Sequence, residues 1–140
     1  MTKKYKILGK YIKDVSGETP DIETYIFVKI QISKYQLNID ITSKPLKNKM
    51  IEIETLLKFA DKEESKKKSH FEINFATVVK INDEIKEKKE LEKIILCEVQ
   101  IEIYPDLEKS LLDLLHNSGY PSIKFEKKIN FEELYNQRLN

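Results

Sequence analysis

A chain of 140 residues, 40% apolar and 35% charged, is long enough for one core and shows no sign of a fibrous or disordered class. Its 25 basic and 24 acidic side chains leave a net charge of +1, which removes the whole-molecule field that non-specific nucleic-acid binders use; no nucleic-acid partner is expected. No stretch approaches the roughly 18 apolar residues that a membrane span requires, and the charged N-terminus lacks the apolar run of a secretion signal, so a cytoplasmic protein is expected.

In chain order, residues 5–15 read as an imperfect strand: Tyr5, Ile7, Gly9 and Tyr11 share one side before the phase blurs at Ile12, and Gly9 marks a candidate bulge. Ser16, Gly17, Thr19, Pro20 and Asp21 form a turn cluster. Residues 24–33 follow as a strand, with Ile26, Val28, Ile30 and Ile32 alternating against Tyr25, Phe27, Lys29 and Gln31. Tyr35, Leu37, Ile39 and Ile41 continue the pattern. The break at Ser33 and Lys34 is weak, so one long bent strand and two strands both remain open. Pro45 and the cluster Lys47, Asn48 and Lys49 end the run.

Ile51, Ile53, Leu57 and Phe59 then face one way. Phe71, Ile73, Phe75, Thr77, Val79 and Ile81 form the clearest strand of the chain, and the two should pair as a hairpin across the charged residues 61–69. Lys66, Lys67 and Lys68 at its tip read as a solvated loop because acids neighbour them and no aromatics interleave. Residues 83–93 are good helix formers. In residues 96–104 a strand period (Val99, Ile101, Ile103) competes with a helical face (Leu91, Ile94, Ile95, Val99), and periodicity does not choose between them.

The strongest signal is a helix over residues 104–120. At about 100° per residue Leu107, Leu111, Leu114 and Leu115 form one stripe, with Asp106, Glu108, Lys109 and Asp113 pointing elsewhere. Pro105 is placed to open it, and Asn117, Ser118 and Gly119 to stop it. After an extended segment from Tyr120 to Ile129, Asn130 with Glu133 makes a capping-box-like start for a short terminal helix carrying Phe131, Leu134 and Tyr135.

Chemistry is sparse in this sequence. Cys97 is a single cysteine, and with only His70 and His116 beside it there is no metal-ligand spacing. No nucleophile and base share a recognisable frame, and three scattered glycines cannot cradle a phosphate. Glu52 with Glu54, and Glu63 with Glu64, read as solvated carboxylates. No catalytic residue, cofactor or metal is therefore expected, and the chain reads as a non-enzyme. An α+β domain is expected, its sheet burying Ile51, Ile53, Leu57, Phe71, Ile73, Phe75 and Val79 under Leu107, Leu111, Leu114 and Leu115. One helix cannot cover two apolar sheet faces, so the side carrying Tyr25, Phe27 and Tyr35 is expected to be covered by self-association.

Two motifs carry a family resemblance. Tyr11 to Pro20, YIKDVSGETP, resembles the N-terminal signature of the SecB family of export chaperones. Ser118 to Gln137, SGYPSIKFEKKINFEELYNQ, resembles that family's ending, where the long helix stops at a glycine, a proline follows, and an asparagine–phenylalanine pair opens the last helix. Between them, FEINFATVVKI (71–81) falls where the family has its fourth strand, and Ile103, Tyr104 and Pro105 fall at its entry to the long helix.

The resemblance implies one SecB-like domain over residues 1–140: an antiparallel four-stranded sheet with a long helix and a short C-terminal helix packed on it, and residues 96–104 mostly helical. It implies a homotetramer, built as a dimer of dimers. It further implies an ATP-independent holdase that binds unfolded preproteins in apolar grooves and delivers them to the SecA translocase motor, with Asp14, Glu18 and Glu72 standing where family members present acidic contacts to SecA. Three features depart from the family: near-neutral charge, Ala76 and Thr77 in place of paired glycines, and no acidic tail in the sequence up to Asn140. They bear on the partner more than on the fold. The alternatives are a SecB-like chaperone of a toxin–antitoxin system, whose client would be an antitoxin, and a non-enzymatic small-ligand-binding α+β domain.

Overall fold

The computed structural model describes residues 4–61, 67–125 and 129–139. Lys66, Glu63 and Glu64, singled out above, lie outside the described residues. The elements run β1 (Tyr5–Glu18), α1 (Ile22–Gln31), a 3₁₀ turn (Ile32–Lys34), β2 (Tyr35–Pro45), β3 (Met50–Asp61), β4 (His70–Ile81), α2 (Lys88–Lys93), a π-helical turn (Ile94–Glu98), α3 (Val99–Asn117) and α4 (Phe131–Leu139). The four strands form one antiparallel sheet in the order β1-β4-β3-β2, so β1 and β2 are its two edges.

The strand pattern of residues 35–61 and 70–81 folds as its alternation dictates. Phe71, Ile73, Phe75 and Val79 of β4, with Ile53 and Leu57 of β3, are buried beneath Leu107, Leu111 and Leu115 of α3; Ile51 and Leu114 are half-buried at the margin. Asn48 and Lys49 join β2 to β3 with φ of 61° and 59°, the pair of positive values that a two-residue hairpin turn needs to match strand twist. β1 carries two register shifts against β4, between Ile7 and Gly9 and between Ile12 and Asp14. The first is the bulge expected at Gly9.

Four expectations need correction. Residues 24–33 are not a strand: α1 spans Ile22–Gln31, capped where the Asp21 carboxylate accepts from the Thr24 N–H at 2.7 Å. β1 and β2 lie at opposite edges, three inter-strand spacings or roughly 14 Å apart. A helix of 10 residues, rising about 1.5 Å each, spans that gap and buries Thr24 and Val28 as it crosses. Secondly, there is no turn at Ser16 and Gly17, because β1 continues to Glu18. Gly17 faces α3 instead, where a Cβ would stand 3.2 Å from Leu114 Cδ1.

Thirdly, Pro105 does not open the long helix but lies inside α3, which continues a helical run begun at Lys88. Proline deprives the Ile101 carbonyl of its donor, and this is tolerated because Ile101 is 50% exposed and water can reach that side. Residues 96–104 are accordingly helical, as the family resemblance implies. Finally, Tyr25 and Tyr35 are covered within the chain, while Phe27 stays 37% exposed. Tyr25 donates its hydroxyl to the Gly119 carbonyl at 2.8 Å and lies 5.5 Å from the Tyr120 ring, while Tyr35 is buried against Phe59. Gly119, at φ 105°, admits this contact: a Cβ there would stand 2.6 Å from the Tyr25 ring.

Candidate functional site

Among the described residues β2 pairs with β3 alone, so its other edge is open beyond Tyr35, whose N–H closes the preceding 3₁₀ turn on the Ile32 carbonyl. The helix-side residues of this strand are Leu37, Ile39 and Ile41, half-buried because α3 lies over the sheet centre and does not reach the edge. α4 supplies the facing wall. Its Asn130 cap accepts from the Glu133 N–H at 3.0 Å, as the capping-box reading anticipated, and Phe131 and Tyr135 anchor it over Cys97 and Tyr104. Phe131 meets Tyr104 edge-on at 5.4 Å, and the Tyr135 hydroxyl donates to the Lys89 carbonyl at 3.2 Å. Burial beneath this wall pushes the Cys97 thiol up from its ordinary pKa, away from the thiolate form.

Between edge and wall lies an apolar depression of about 270 Å³, lined by Ile39, Ile41, Leu96, Phe131, Leu134 and Tyr135. It continues past Leu37 and Ile129. At the other end of β2 a second depression of about 310 Å³ is lined by Ile32, Tyr35, Phe59, Ile123 and Phe125. The π turn contributes Leu96 to the floor. It is held by Gln100, a buried side chain that accepts from the Thr55 hydroxyl at 2.9 Å and donates to the Ile95 carbonyl at 3.2 Å. An open row of backbone groups beside aliphatic and aromatic pockets is what an extended peptide needs in order to add as a strand with alternate side chains buried.

The opposite face of the sheet is polar. Asp14 stands opposite Asn74, Ser16 opposite Glu72 and Glu18 opposite His70, so Asp14, Glu18 and Glu72 share this face, Glu72 diagonal to the other two. Glu72 pairs with Lys58 at 3.2 Å. Beside them, the small Ala76 lets β1 reach across β4 to β3: Lys13 contacts Glu52 and Glu54 at 3.0 Å each, and Tyr11 donates to Glu52 at 3.1 Å. Hydrogen bonds from Lys13 first, then from Tyr11 to Glu52 and from Asn74 to Glu54, hold both carboxyls below their ordinary range. Glu52 and Glu54 are therefore tied down, where the sequence suggested free solvated groups.

Sequence reasoning missed the groove, because nothing in the alternation of residues 35–41 says that this strand lies at an edge. It also missed Lys13, whose partners are two strands away. Among the described residues no group of three or more His, Cys, Asp or Glu is placed to hold a metal ion. No described helix is long and apolar enough to cross a membrane.

The architecture is that of an α+β domain whose open sheet edge runs beside an apolar groove, a class suited to holding extended polypeptide. Comparison with known proteins narrows the class to one family. The family model described as preprotein translocase subunit SecB matches residues 1–140, and the chain belongs to the SecB family of protein-export chaperones. It is 60% identical over the whole length of both chains to a Pelagibacter ubique (strain HTCC1062) protein provisionally named protein-export protein SecB. It is 28% identical to protein-export protein SecB of Rhodospirillum rubrum, covering 95% of this chain and 81% of that one. Among solved structures it resembles the Mycobacterium tuberculosis Rv1957 SecB-like chaperone in complex with a ChAD peptide from the Rv1956 HigA1 antitoxin, with a TM-score of 0.62, 12% identity, and coverage of 89% of this chain and 91% of that one. At that identity the likeness speaks for the fold.

Proposed function

We propose that this protein is an ATP-independent holdase of the cytoplasm that binds unfolded preproteins along the β2 edge and delivers them to the SecA motor. The observation that carries the reading is the open β2 edge running beside the pockets of Ile39, Ile41, Leu96 and Leu134. Backbone bonding there is indifferent to client sequence, and the pockets accept any aliphatic or aromatic side chain. Asp14, Glu18 and Glu72 form the proposed SecA contact on the polar face. A homotetramer, as a dimer of dimers, is proposed, with β1, whose edge position and exposed Leu8, Tyr11, Ile12 and Val15 call for a covering copy, as the contact within each dimer.

The test is aggregation of several unrelated denatured proteins, without ATP, at stoichiometric ratios. The parent should slow all of them, and Leu134→Asp, which sets a charge in the groove from an exposed position, should lose most of that effect with its fold intact by circular dichroism. A parent that protects none of them and instead shows one saturable, stereospecific small ligand would overturn the holdase. Protection without any SecA binding would make this a chaperone of the toxin–antitoxin type.

A further inference from the structure

The ladder bonds fix which backbone groups of β2 face outward. Leu46 donates its N–H to the Met50 carbonyl at 2.8 Å, in register with Pro45 opposite Ile51 and Lys44 opposite Glu52. Bonded and non-bonded pairs alternate along an antiparallel ladder, so Lys44, Thr42, Asp40, Asn38 and Gln36 turn their backbone groups onto β3. The far side of β3 agrees: Ile81 donates to the Lys49 carbonyl at 3.0 Å, so odd-numbered residues of β3 serve β4 and even-numbered ones serve β2. At the start of β2, Tyr35 accordingly turns its N–H away from β3, onto the Ile32 carbonyl.

The outward N–H groups of β2 therefore belong to Leu37, Ile39, Ile41 and Ser43. Pro45 falls in the same outward series, where its missing N–H takes no bond from the sheet and ends the row. Backbone facing and side-chain facing share the same two-residue period along a strand. Leu37, Ile39 and Ile41, whose side chains line the groove, are thus the very residues that offer backbone groups at the open edge.

We infer that a client segment adds antiparallel to β2 and bonds through the amides of the same residues whose side chains enter the groove. This selection rule rests on the reading of the groove as the client site. An antiparallel strand sets a residue opposite Ile39 in a bonded pair, about 5.5 Å between Cα atoms, with both side chains on the groove face. That client residue needs an apolar side chain and a free N–H together. A parallel strand would bond through the residues on either side of it, whose side chains face away from the groove, and its slanted bonds are less stable per residue. The class of client follows: an extended segment with aliphatic or aromatic side chains at alternate positions, no proline at any of them, and proline admitted only at the positions between.

The test is fluorescence anisotropy of the full chain with a short labelled peptide that carries leucine at alternate positions and threonine between them, both ends blocked. N-methylation of the central leucine should weaken binding by at least about tenfold, because it removes one bond to the edge and sets a methyl group against β2. N-methylation of the neighbouring threonine, whose N–H faces solvent, should change binding by less than about twofold. Each variant carries one added methyl, so the contrast reads the direction of the amide alone. Proline at the same two positions should repeat the pattern. Greater loss from the threonine variant than from the leucine variant would establish parallel addition and overturn the inference. Equal effects from both would mean that side chains alone hold the client, which overturns it as well. A parent peptide that fails to bind, while the protein still slows aggregation of denatured proteins, would overturn the rule and leave the holdase standing. The methylation contrast without any protection from aggregation would support strand addition at β2 and remove the holdase.

Discussion

The buried pair Thr55 and Gln100 offers a sharp test of how the π turn is fixed in place. Thr55 is 0% and Gln100 1% exposed, so neither can exchange its partner for water. Thr55→Val keeps the shape but leaves the Gln100 carbonyl oxygen without a donor, at about 1–3 kcal/mol. Gln100→Leu leaves the Thr55 hydroxyl orphaned and removes a donor from the Ile95 carbonyl, at a similar cost. The double variant removes both partners of the shared bond, so it should be no less stable than the weaker single variant, a coupling of at least ~1 kcal/mol. At about 2–4 °C per kcal/mol for a chain of this size, each single change should lower Tm by roughly 2–12 °C. The assay is denaturant and thermal unfolding of all four proteins at one fixed protein concentration, since the proposed self-association would make the midpoint concentration-dependent. If the two single losses simply add in the double variant, within about 0.5 kcal/mol, the bond does not couple the helix to the sheet and the reasoning fails.

Lys49→Gly should raise stability by about 0.5 kcal/mol, because glycine relieves a lysine held at φ 59° while only an exposed ion pair with Asp83 is lost; an unchanged or lower urea midpoint would count against this. Replacing Asp14, Glu18 and Glu72 together by Ala should weaken SecA binding and flatten its salt dependence with client binding and assembly unchanged; equal affinity for parent and triple variant at low salt would remove these residues from the contact. Lys13→Met should alter acid stability. Because Lys13 and its neighbours depress the carboxyls of Glu52 and Glu54 in the folded state, their contribution is present above the ordinary value of 4.5 and is lost as pH falls through the lower folded values. The parent should therefore lose stability more steeply below pH 4.5 than Lys13→Met, and identical acid slopes in urea unfolding would refute the assignment.

Whatever rests on local periodicity was legible in the amino-acid order alone. Phe71 to Ile81 alternates cleanly because both its neighbours and its faces are fixed by the pleat. The stripe Leu107, Leu111 and Leu115 has one solution on a helix, and Asn130 with Glu133 closes its cap within a single turn. Elements whose conformation depends on distance across the sheet were not legible there, because packing sets them. Residues 22–31 carry the β-branched and aromatic composition of a strand, yet they must bridge from the β1 edge to the β2 edge, and the sheet width makes them a helix. Pro105 carries a local signal for a helix start, overridden because the helical run before it is anchored by Ile94, Val99 and Gln100 in the core. The groove beside β2 and the reach of Lys13 over Ala76 exist only once strand order is set, since an edge, and a neighbour two strands away, are properties of the sheet that no single stretch of chain encodes.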